Sequence, residues 1–256
     1  MRVERYEPGV PAWIDIGVAD QQVAADFYGA LFGWDVAPGP DEAGGYRIAM
    51  VGDAAVAGIG PQQSPGPPWW ATYVSVEQVE ATVASVVEHG GQVVVDATDV
   101  MSAGRMAGFL DPQGAVFAVW QSNEFPGAQL VNEPGTYSWS ELVTTDVDAA
   151  KRFYGAVFGW TFDTHGDGAD AYTEFKVGGR TVGGMMHKPS DMPEHVPCHW
   201  AVYFSVEDTD AAVARVQALG GRVVMAPRDI EPGRFAVVAD PTGGVFNVIT
   251  ITDTPN

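Results

Sequence analysis

"FYGALFGW" at residues 27–34 returns as "FYGAVFGW" at residues 153–160, and the two copies differ by a single letter. They lie 126 residues apart, and at the same offset Trp13 corresponds to Trp139. An aromatic phrase closed by glycine and written twice at this distance indicates a tandem duplication, because the unit is far longer than a solenoid repeat. We expect the phrase to serve mainly the fold.

The end of each half carries a second pair of matching stretches. "GRMAGFLDPQGAVFAVW" at 104–120 corresponds to "GRFAVVADPTGGVFNVI" at 233–249, now at an offset of 129. The change in offset predicts three net inserted residues, in the loop before Trp200. The sequence therefore predicts two domains of one fold joined by a linker, with bounds 1–122, 123–136 and 137–256.

Local patterns inside each half predict where the helices begin and end. Asp20 and Asp146 stand as N-cap residues, and Gly33 and Gly159 stand where a left-handed residue closes a helix. An apolar stripe is expected in the first helix, at Val23, Phe27 and Leu31. Short extended runs surround the helices, so each half is predicted to be β-α-β-β-β twice, and the fold class is α+β.

Length and composition limit the class of protein. The 256 residues are 46% apolar, which is enough for well-filled cores. Cys198 is the only cysteine, so an internal disulfide is excluded and a reducing compartment is favoured. The first ten residues are charged and no apolar run follows them, which predicts no signal peptide or membrane span. We expect a cytoplasmic protein.

The net charge argues against whole classes of partner. Thirteen Lys and Arg side chains stand against 33 Asp and Glu, a formal net charge of −20. Such a chain repels phosphate backbones and anionic lipid surfaces, so we expect no nucleic acid and no membrane as partner. Two interpretations remain open, a solubilising surface and a preference for cationic ligands.

The combined motifs resemble a known family. D-x6-FY-x-x-x-FGW, followed by GG-x-V-V and DP-x-G-x-x-F, is similar to the pattern of the vicinal oxygen chelate superfamily, across residues 11–122 and 137–251. That superfamily includes glyoxalase I, extradiol dioxygenases, fosfomycin-modifying enzymes and bleomycin-resistance proteins. The resemblance implies two tandem glyoxalase-like domains, each with paired βαβββ modules that form a half-barrel sheet around a cavity.

The resemblance also implies where a metal would be held. The family takes its ligands from the first strand of each module and from the last strand of each domain. The corresponding residues here are poor ligands for a divalent metal, namely Trp13, Ala71 and Ala118 in one half and Trp139, Ala201 and Asn247 in the other. We therefore expect no metal at the family position and no cofactor.

A displaced site in the second half is the alternative. Residues two apart on a strand share a face, so Glu141, His199 and Asn247 could line one cavity. His187 and His195 of the long loop could reach its mouth, and a Glu/His/His site there could hold a divalent metal. Asp15 matches Glu141 in the first half. The same residues could instead act without a metal, with Glu141 or Asp15 as general base and His199 as its acid–base partner.

Aromatic residues at strand positions predict a ligand cavity. Aromatic walls with a few polar groups suit a flat organic molecule, aromatic or carbonyl-containing, and the candidate contacts are Trp13, Tyr46, Trp70, Trp139, Tyr172 and Asn247. Two functions remain open. One is sequestration of an aromatic metabolite or drug, or metal-free catalysis, at a degraded metal site. The other is a metal-dependent lyase, isomerase or dioxygenase. We expect a monomeric pseudo-dimer or a weak homodimer.

Overall fold

The computed structural model of the chain describes residues 1–63 and 65–252, and it folds as two tandem domains, each built on one open sheet. The first domain comprises β1 (Pro11–Val18), α1 (Gln21–Phe32), β2 (Arg47–Val51), β3 (Ala54–Pro61), β4 (Trp70–Ser75), α2 (Val79–Glu88), β5 (Gln92–Val100), β6 (Gly104–Leu110) and β7 (Val116–Ser122). The second comprises β8 (Tyr137–Thr144), α3 (Val147–Phe158), β9 (Thr161–His165), β10 (Tyr172–Val177), β11 (Arg180–His187), β12 (His199–Ser205), α4 (Thr209–Ala218), β13 (Arg222–Ile230), β14 (Gly233–Ala239) and β15 (Val245–Ile251). The predicted α+β class is confirmed.

The two sheets share one topology but differ by a strand. The strand orders are β2-β3-β1-β4-β7-β6-β5 and β13-β14-β15-β12-β8-β11-β10-β9. The first module of the first domain is the exception to the predicted β-α-β-β-β pattern. After α1 the chain makes only an isolated bridge between Asp35 and Met50, where the second domain forms β9. The proline- and glycine-rich stretch that follows, "APGPDEAGG", disfavours a strand there.

The predicted helix ends are confirmed. The Asp20 carboxylate accepts hydrogen bonds from the backbone N–H groups of Gln22 and Val23, and Asp146 accepts one from Ala149. These bonds satisfy donors that the first helical turn leaves free. Gly33 and Gly159 close the helices with φ of 75° and 70°, the left-handed region that glycine enters without steric cost.

The predicted apolar stripe of α1 is confirmed at Phe27, which is buried, and at Leu31, which packs against the core. It is wrong at Val23, which is 39% exposed, whereas Ala24 and Tyr28 are buried. The Tyr28 hydroxyl group has a buried hydrogen-bond partner, as described below. Hydrophobicity alone favours valine over tyrosine for a core position and cannot detect such a partner.

The residue offset between corresponding positions of the two halves changes at two places. Trp13 pairs with Tyr73 and Trp139 with Tyr203, so the offset grows from 126 to 130 across the loop before β12. It returns to 129 at Gly104 and Gly233, because the turn after β5 has one residue more than the turn after β13. The net insertion of three is thus four residues gained and one lost.

The repeated phrase builds the contact between the domains. The Tyr28 hydroxyl donates to Asp240 Oδ2 over 2.7 Å, and the matching Tyr154 hydroxyl donates to Asp111 Oδ2 over 3.0 Å. Each tyrosine thus reaches the Asp-Pro turn of the other domain, and each hydroxyl accepts a hydrogen bond from Trp70 or Trp200.

The tryptophan that ends each phrase also crosses between the domains. Trp34 Nε1 donates to the carbonyl oxygen of Gly135, and Trp160 Nε1 donates to that of Gly9, both over 2.7 Å. Around these bonds α1 packs in one core with β12, β14 and β15 of the second domain. The phrase therefore serves the fold, as predicted. None of the helices in the described ranges is long and apolar enough to cross a membrane.

Candidate functional site

Strand alternation separates two faces in each sheet. Ile14, Ile16 and Trp70 turn towards α1 and are buried in the core shared by the domains. Asp15 pairs with Ala71 on the opposite face, which we call the inner face. It carries Trp13, Asp15 and Tyr73 in the first domain and Trp139, Glu141 and Tyr203 in the second.

In the first domain a carboxyl group lies at the centre of this face. The hydroxyl groups of Tyr46 and Tyr73 both donate to Asp15 Oδ2 over 2.9 Å. Trp13 Nε1 donates to the Tyr46 hydroxyl oxygen, also over 2.9 Å. The other carboxyl oxygen, Oδ1, has no partner among the described residues and is not fully buried. One oxygen of Asp15 is therefore held by phenols and the other remains available.

The second domain repeats the array with a longer acid. Tyr203 donates to Glu141 Oε1 over 2.9 Å, and Trp139 Nε1 donates to the Tyr172 hydroxyl oxygen over 2.9 Å. The Tyr172 hydroxyl lies close enough to Glu141 to stabilise the charged carboxylate. Each domain thus gathers a tryptophan, two tyrosines and an acid on its inner face, which we call the phenol–carboxyl array. Both tyrosines donate to the acid in the first domain, and Tyr203 donates to it in the second.

Two glycines make room for the arrays. Gly58 of β3 pairs with Asp15, and Gly184 of β11 pairs with Glu141. A Cβ atom at Gly58 would collide with the Tyr46 hydroxyl, and one at Gly184 would collide with that of Tyr172. Both glycines are therefore places where a side chain crosses close over the backbone.

Burial shifts the proton equilibria of the arrays. Removal from water raises the pKa of Asp15 to about 6, although the hydroxyl groups of Tyr46 and Tyr73 pull it back. Burial likewise raises the pKa of Glu141, against the phenols and the positive charge of Arg228. The pKa of each of the four tyrosines is raised well above its ordinary value, again mainly by burial. The phenols therefore remain donors at neutral pH.

Around the arrays the two domains differ. In the first, Phe125 from the linker packs edge-on against Trp13, with ring centroids 4.9 Å apart. In the second, the guanidinium carbon of Arg228 lies 5.0 Å from the centroid of the Phe235 ring. Register places Thr98 at the position of Arg228 and Met106 at that of Phe235.

The structure places the two other predicted polar residues on the inner face without joining them to Glu141. His199 pairs with Val143, and its Nδ1 hydrogen-bonds the carbonyl oxygen of Pro197. Burial lowers the pKa of His199, which favours the neutral ring at pH 7. Asn247 is buried, and its amide nitrogen donates to the carbonyl oxygen of Val202. The proposed pair of Glu141 with His199 is not formed, because the carboxyl group is occupied by tyrosines.

Trp70 was predicted as a ligand contact, and this is wrong. Its side chain is 2% exposed, lies edge-on to Tyr28 and Phe204, and donates to the Tyr28 hydroxyl. Periodicity identifies alternating faces but not which of them turns to the partner domain. By contrast, Trp13, Tyr46, Trp139 and Tyr172 lie on the inner faces.

The donors on the inner faces do not fit a divalent metal. Indole rings take the place of the first family ligand, and Trp13 and Trp139 direct their N–H groups at tyrosine oxygens. Asp15 and Glu141 are the nearest acids, and phenols hold both. Within residues 1–63 and 65–252 no three His, Cys, Asp or Glu side chains come together as a metal would require.

The two hollows that the structure shows most clearly lie away from the arrays. Two surface hollows lie at the rims of the first domain, of about 450 Å³ beside Val18, Gln21 and Pro61, and about 110 Å³ beside Arg105. Neither is lined by Asp15 or Glu141. Asp15, Tyr46 and Tyr172 nevertheless keep partial solvent exposure. A ligand could therefore reach the arrays from the inner faces.

Three groups of site residues are missing from the sequence-based candidates. Tyr73 and Tyr203 lie two residues after Ala71 and Ala201, so strand alternation was a sufficient signal for them. Gly58 and Gly184 carried no signal beyond a glycine-rich hairpin. Arg228 lies on an edge strand whose register with β14 shifts twice, and such bulges defeat simple alternation.

Comparison with known proteins agrees with the geometry. The profile of the Glyoxalase/Bleomycin resistance protein/Dioxygenase superfamily matches residues 11–119, and that of a Glyoxalase-like domain matches residues 140–249. CFP32 of Mycobacterium tuberculosis, named provisionally as a glyoxylase, is 46% identical over 95% of both chains. The anthracycline biosynthesis protein DnrV of Streptomyces peucetius is 36% identical over 97% of this chain and 96% of its own.

Solved structures share the fold at much lower identity. A Mn(II)-bound glyoxalase from Novosphingobium aromaticivorans superposes with a TM-score of 0.65 at 18% identity, over 95% of this chain and 82% of its own. The 2,3-dioxygenase LapB from Pseudomonas sp. KL28 also has a TM-score of 0.65, at 15% identity over 98% and 96%. With both halves matched and the fold shared, the chain belongs to the glyoxalase/bleomycin resistance protein/dioxygenase superfamily.

Proposed function

We propose that the protein binds an aromatic, carbonyl-containing small molecule on its inner faces and does so without the metal of its superfamily. One observation carries the proposal: each domain holds a phenol–carboxyl array near the position where the family places its metal. Packing alone does not account for an acid held by phenol donors in both domains, since burying a carboxyl group is unfavourable. Such polar groups on an aromatic surface suit a small ligand.

The array supplies a hydrogen-bonding group that adapts to the ligand. With one oxygen held by two phenols, Oδ1 of Asp15 remains for a ligand. When the carboxyl group is protonated it donates to a carbonyl oxygen, and when it is ionised it accepts from a hydroxyl group. The pKa of Asp15, about 6, makes both forms accessible near neutrality. The half-buried indole ring of Trp139 provides apolar surface beside the second array.

The names of two relatives support the ligand class. DnrV and DauV are both described as anthracycline biosynthesis proteins, each 36% identical to this chain. We extend from them only the expectation of an aromatic ligand. Because the domains already complete one another across the Tyr28 and Tyr154 contacts, we also propose a monomeric pseudo-dimer, which light scattering would test against a homodimer.

Metal-free proton transfer is the second candidate function. The raised pKa of Asp15 favours it, because a general base acts best with a pKa near the working pH. In this scheme Asp15 or Glu141 would take a proton from the carbon next to a carbonyl group. The phenols would hold the acid in place. A displaced metal centre at Glu141, His199 and Asn247 is disfavoured, since phenols hold the first and the amide nitrogen of Asn247 bonds the backbone.

Titration with 2-acetylnaphthalene, a neutral aromatic ketone, tests the proposal. Quenching of tryptophan fluorescence should saturate, and Asp15→Leu together with Glu141→Leu should abolish it while circular dichroism stays unchanged. Asp15→Asn should keep an N–H donor for the ketone and remove the weakening expected as Asp15 ionises between pH 5 and 8. The exposed Asp96→Asn serves as control. Binding that survives the double leucine variant would refute the proposed site. Stoichiometric metal after purification without chelator, lost in Glu141→Ala, would instead favour the metal-dependent alternative.

A further inference from the structure

The geometry points to a difference between the domains in the charge of the ligand that each binds, and this inference rests on the function proposed above. We propose that the second inner face selects aromatic ligands that carry an anionic group, such as an aromatic carboxylate, with Arg228 as the contact for the anion. The first inner face would take uncharged ligands. The two arrays alone do not distinguish the domains, so the argument depends on what surrounds them.

A continuous path of side chains joins Arg228 to the second array. Its guanidinium carbon lies 5.0 Å from the centroid of the Phe235 ring, close enough for a cation–π contact. The Phe235 ring lies 6.0 Å from that of Tyr203, and the Tyr203 hydroxyl holds Glu141. The charge of Arg228 is felt at the acid, where it opposes the effect of burial on the pKa of Glu141. Arg228 therefore belongs to the surroundings of the array.

The donors of Arg228 are not used by the described part of the fold. Arg105 and Arg234 occupy matching positions at the starts of β6 and β14, and each bridges two carboxylates, Asp99 with Glu80 and Asp210 with Asp229. The donors of those two arginines are thus used within the fold. Arg228 is exposed, and within residues 1–63 and 65–252 it makes no ion pair or side-chain hydrogen bond. The ring of Phe235 orients its planar fork, which can pair with both oxygens of a carboxylate.

The first domain provides an internal contrast. Thr98 stands in place of Arg228, and Met106 in place of Phe235. Near the first array, Phe125 of the linker packs against both Trp13 and Trp120. Among the described residues, those that act on the pKa of Asp15 are the two tyrosines, and no cation is among them. In a protein with net charge −20 an anionic ligand is repelled at long range, so its binding requires a local positive charge, and only the second array has one at this position.

A pair of probes that differ in charge tests the inference. 2-Naphthoate is ionised at pH 7, whereas 2-acetylnaphthalene has the same ring system and no charge. Isothermal titration calorimetry should show Arg228→Thr weakening 2-naphthoate by about tenfold or more, as expected for the loss of a charged hydrogen bond, and leaving 2-acetylnaphthalene unchanged. Arg222→Thr, an exposed arginine at the start of the same strand, is the matched control. Thr98→Arg with Met106→Phe should give the first domain 2-naphthoate binding in the Arg228→Thr background.

The outcomes separate the two proposals. Equal loss of both probes in Arg228→Thr, or no loss of either, overturns anion selection by Arg228 and leaves aromatic binding at the arrays intact. Binding of 2-naphthoate that requires Arg228 but persists in Glu141→Leu retains the anion contact and refutes the array as the ligand site. If neither probe binds the wild-type protein at millimolar concentration, both proposals fail.

Discussion

Replacing Asp15 by Asn should change how the stability of the protein depends on pH. The amide oxygen of Asn can accept the hydrogen bonds of Tyr46 and Tyr73, and its NH2 group takes the position of the partly exposed Oδ1. The substitution therefore keeps the shape of the array and removes one titration. Its effect isolates the free energy that burial of this carboxyl group imposes on the fold.

The magnitude follows from the two pKa values of Asp15, 3.8 in the unfolded chain and about 6 in the folded protein. Because the folded value is the higher, the folded state holds the proton more tightly, and stability falls as pH rises from one value to the other. A difference of about two units corresponds to roughly 3 kcal/mol in total. About 1.4 kcal/mol of this stability is lost between pH 5 and 8. That range lies above the isoelectric point of about 4.3, so the protein keeps a net negative charge throughout the measurement.

The measurement is the difference in melting temperature between Asp15→Asn and the wild type, at several pH values from 5 to 8. Other titrating groups cancel in this difference. For a chain of this size 1.4 kcal/mol corresponds to about 3–6 °C, so the advantage of the variant should grow by that amount as pH rises. Asp96→Asn, which removes an exposed acid from edge strand β5, is the control for the loss of one negative charge. A flat curve for Asp15→Asn would show that this carboxyl group is not held protonated by burial.

Three further predictions concern the arrays and the domain contact. Gly58→Ala should lower the free energy of unfolding by about 1–3 kcal/mol in urea titrations, because its methyl group meets the tyrosine of the array. Gly17→Ala on the same sheet meets only ordinary contacts and should lower the free energy of unfolding much less. Equal effects of the two substitutions would contradict the close approach of the Tyr46 hydroxyl to Gly58. Tyr28→Phe and Tyr154→Phe should each lower the free energy of unfolding by about 1–3 kcal/mol, since each leaves a buried indole N–H without its acceptor. A loss in only one of the two variants would show that the two tyrosine contacts between the domains are not equivalent. Phe125→Ala should increase acrylamide quenching of tryptophan fluorescence by exposing Trp13, and unchanged quenching would refute the packing of the linker on the first array.

The sequence by itself determined the duplication, the helix ends and the class of fold. These features depend on local chemistry, in which Asp20 caps a helix through its own backbone neighbours and Gly33 enters a left-handed conformation wherever it stands. The placement of Asp15 and Glu141 on one face with Trp13 and Trp139 also followed, because two-residue alternation needs no knowledge of the rest of the chain.

Only the tertiary structure decided what those faces meet. The sequence predicted Trp70 as a ligand contact, but the second domain covers its side chain. Tyr28 lies in the core, where Asp240, more than two hundred residues away in the chain, accepts its hydrogen bond. The tyrosines around each acid come from segments far apart in the chain, and the strand that carries Arg228 has two shifts of register. Burial and hydrogen bonding between distant segments depend on how the chain packs in space, so no local pattern of residues encodes them.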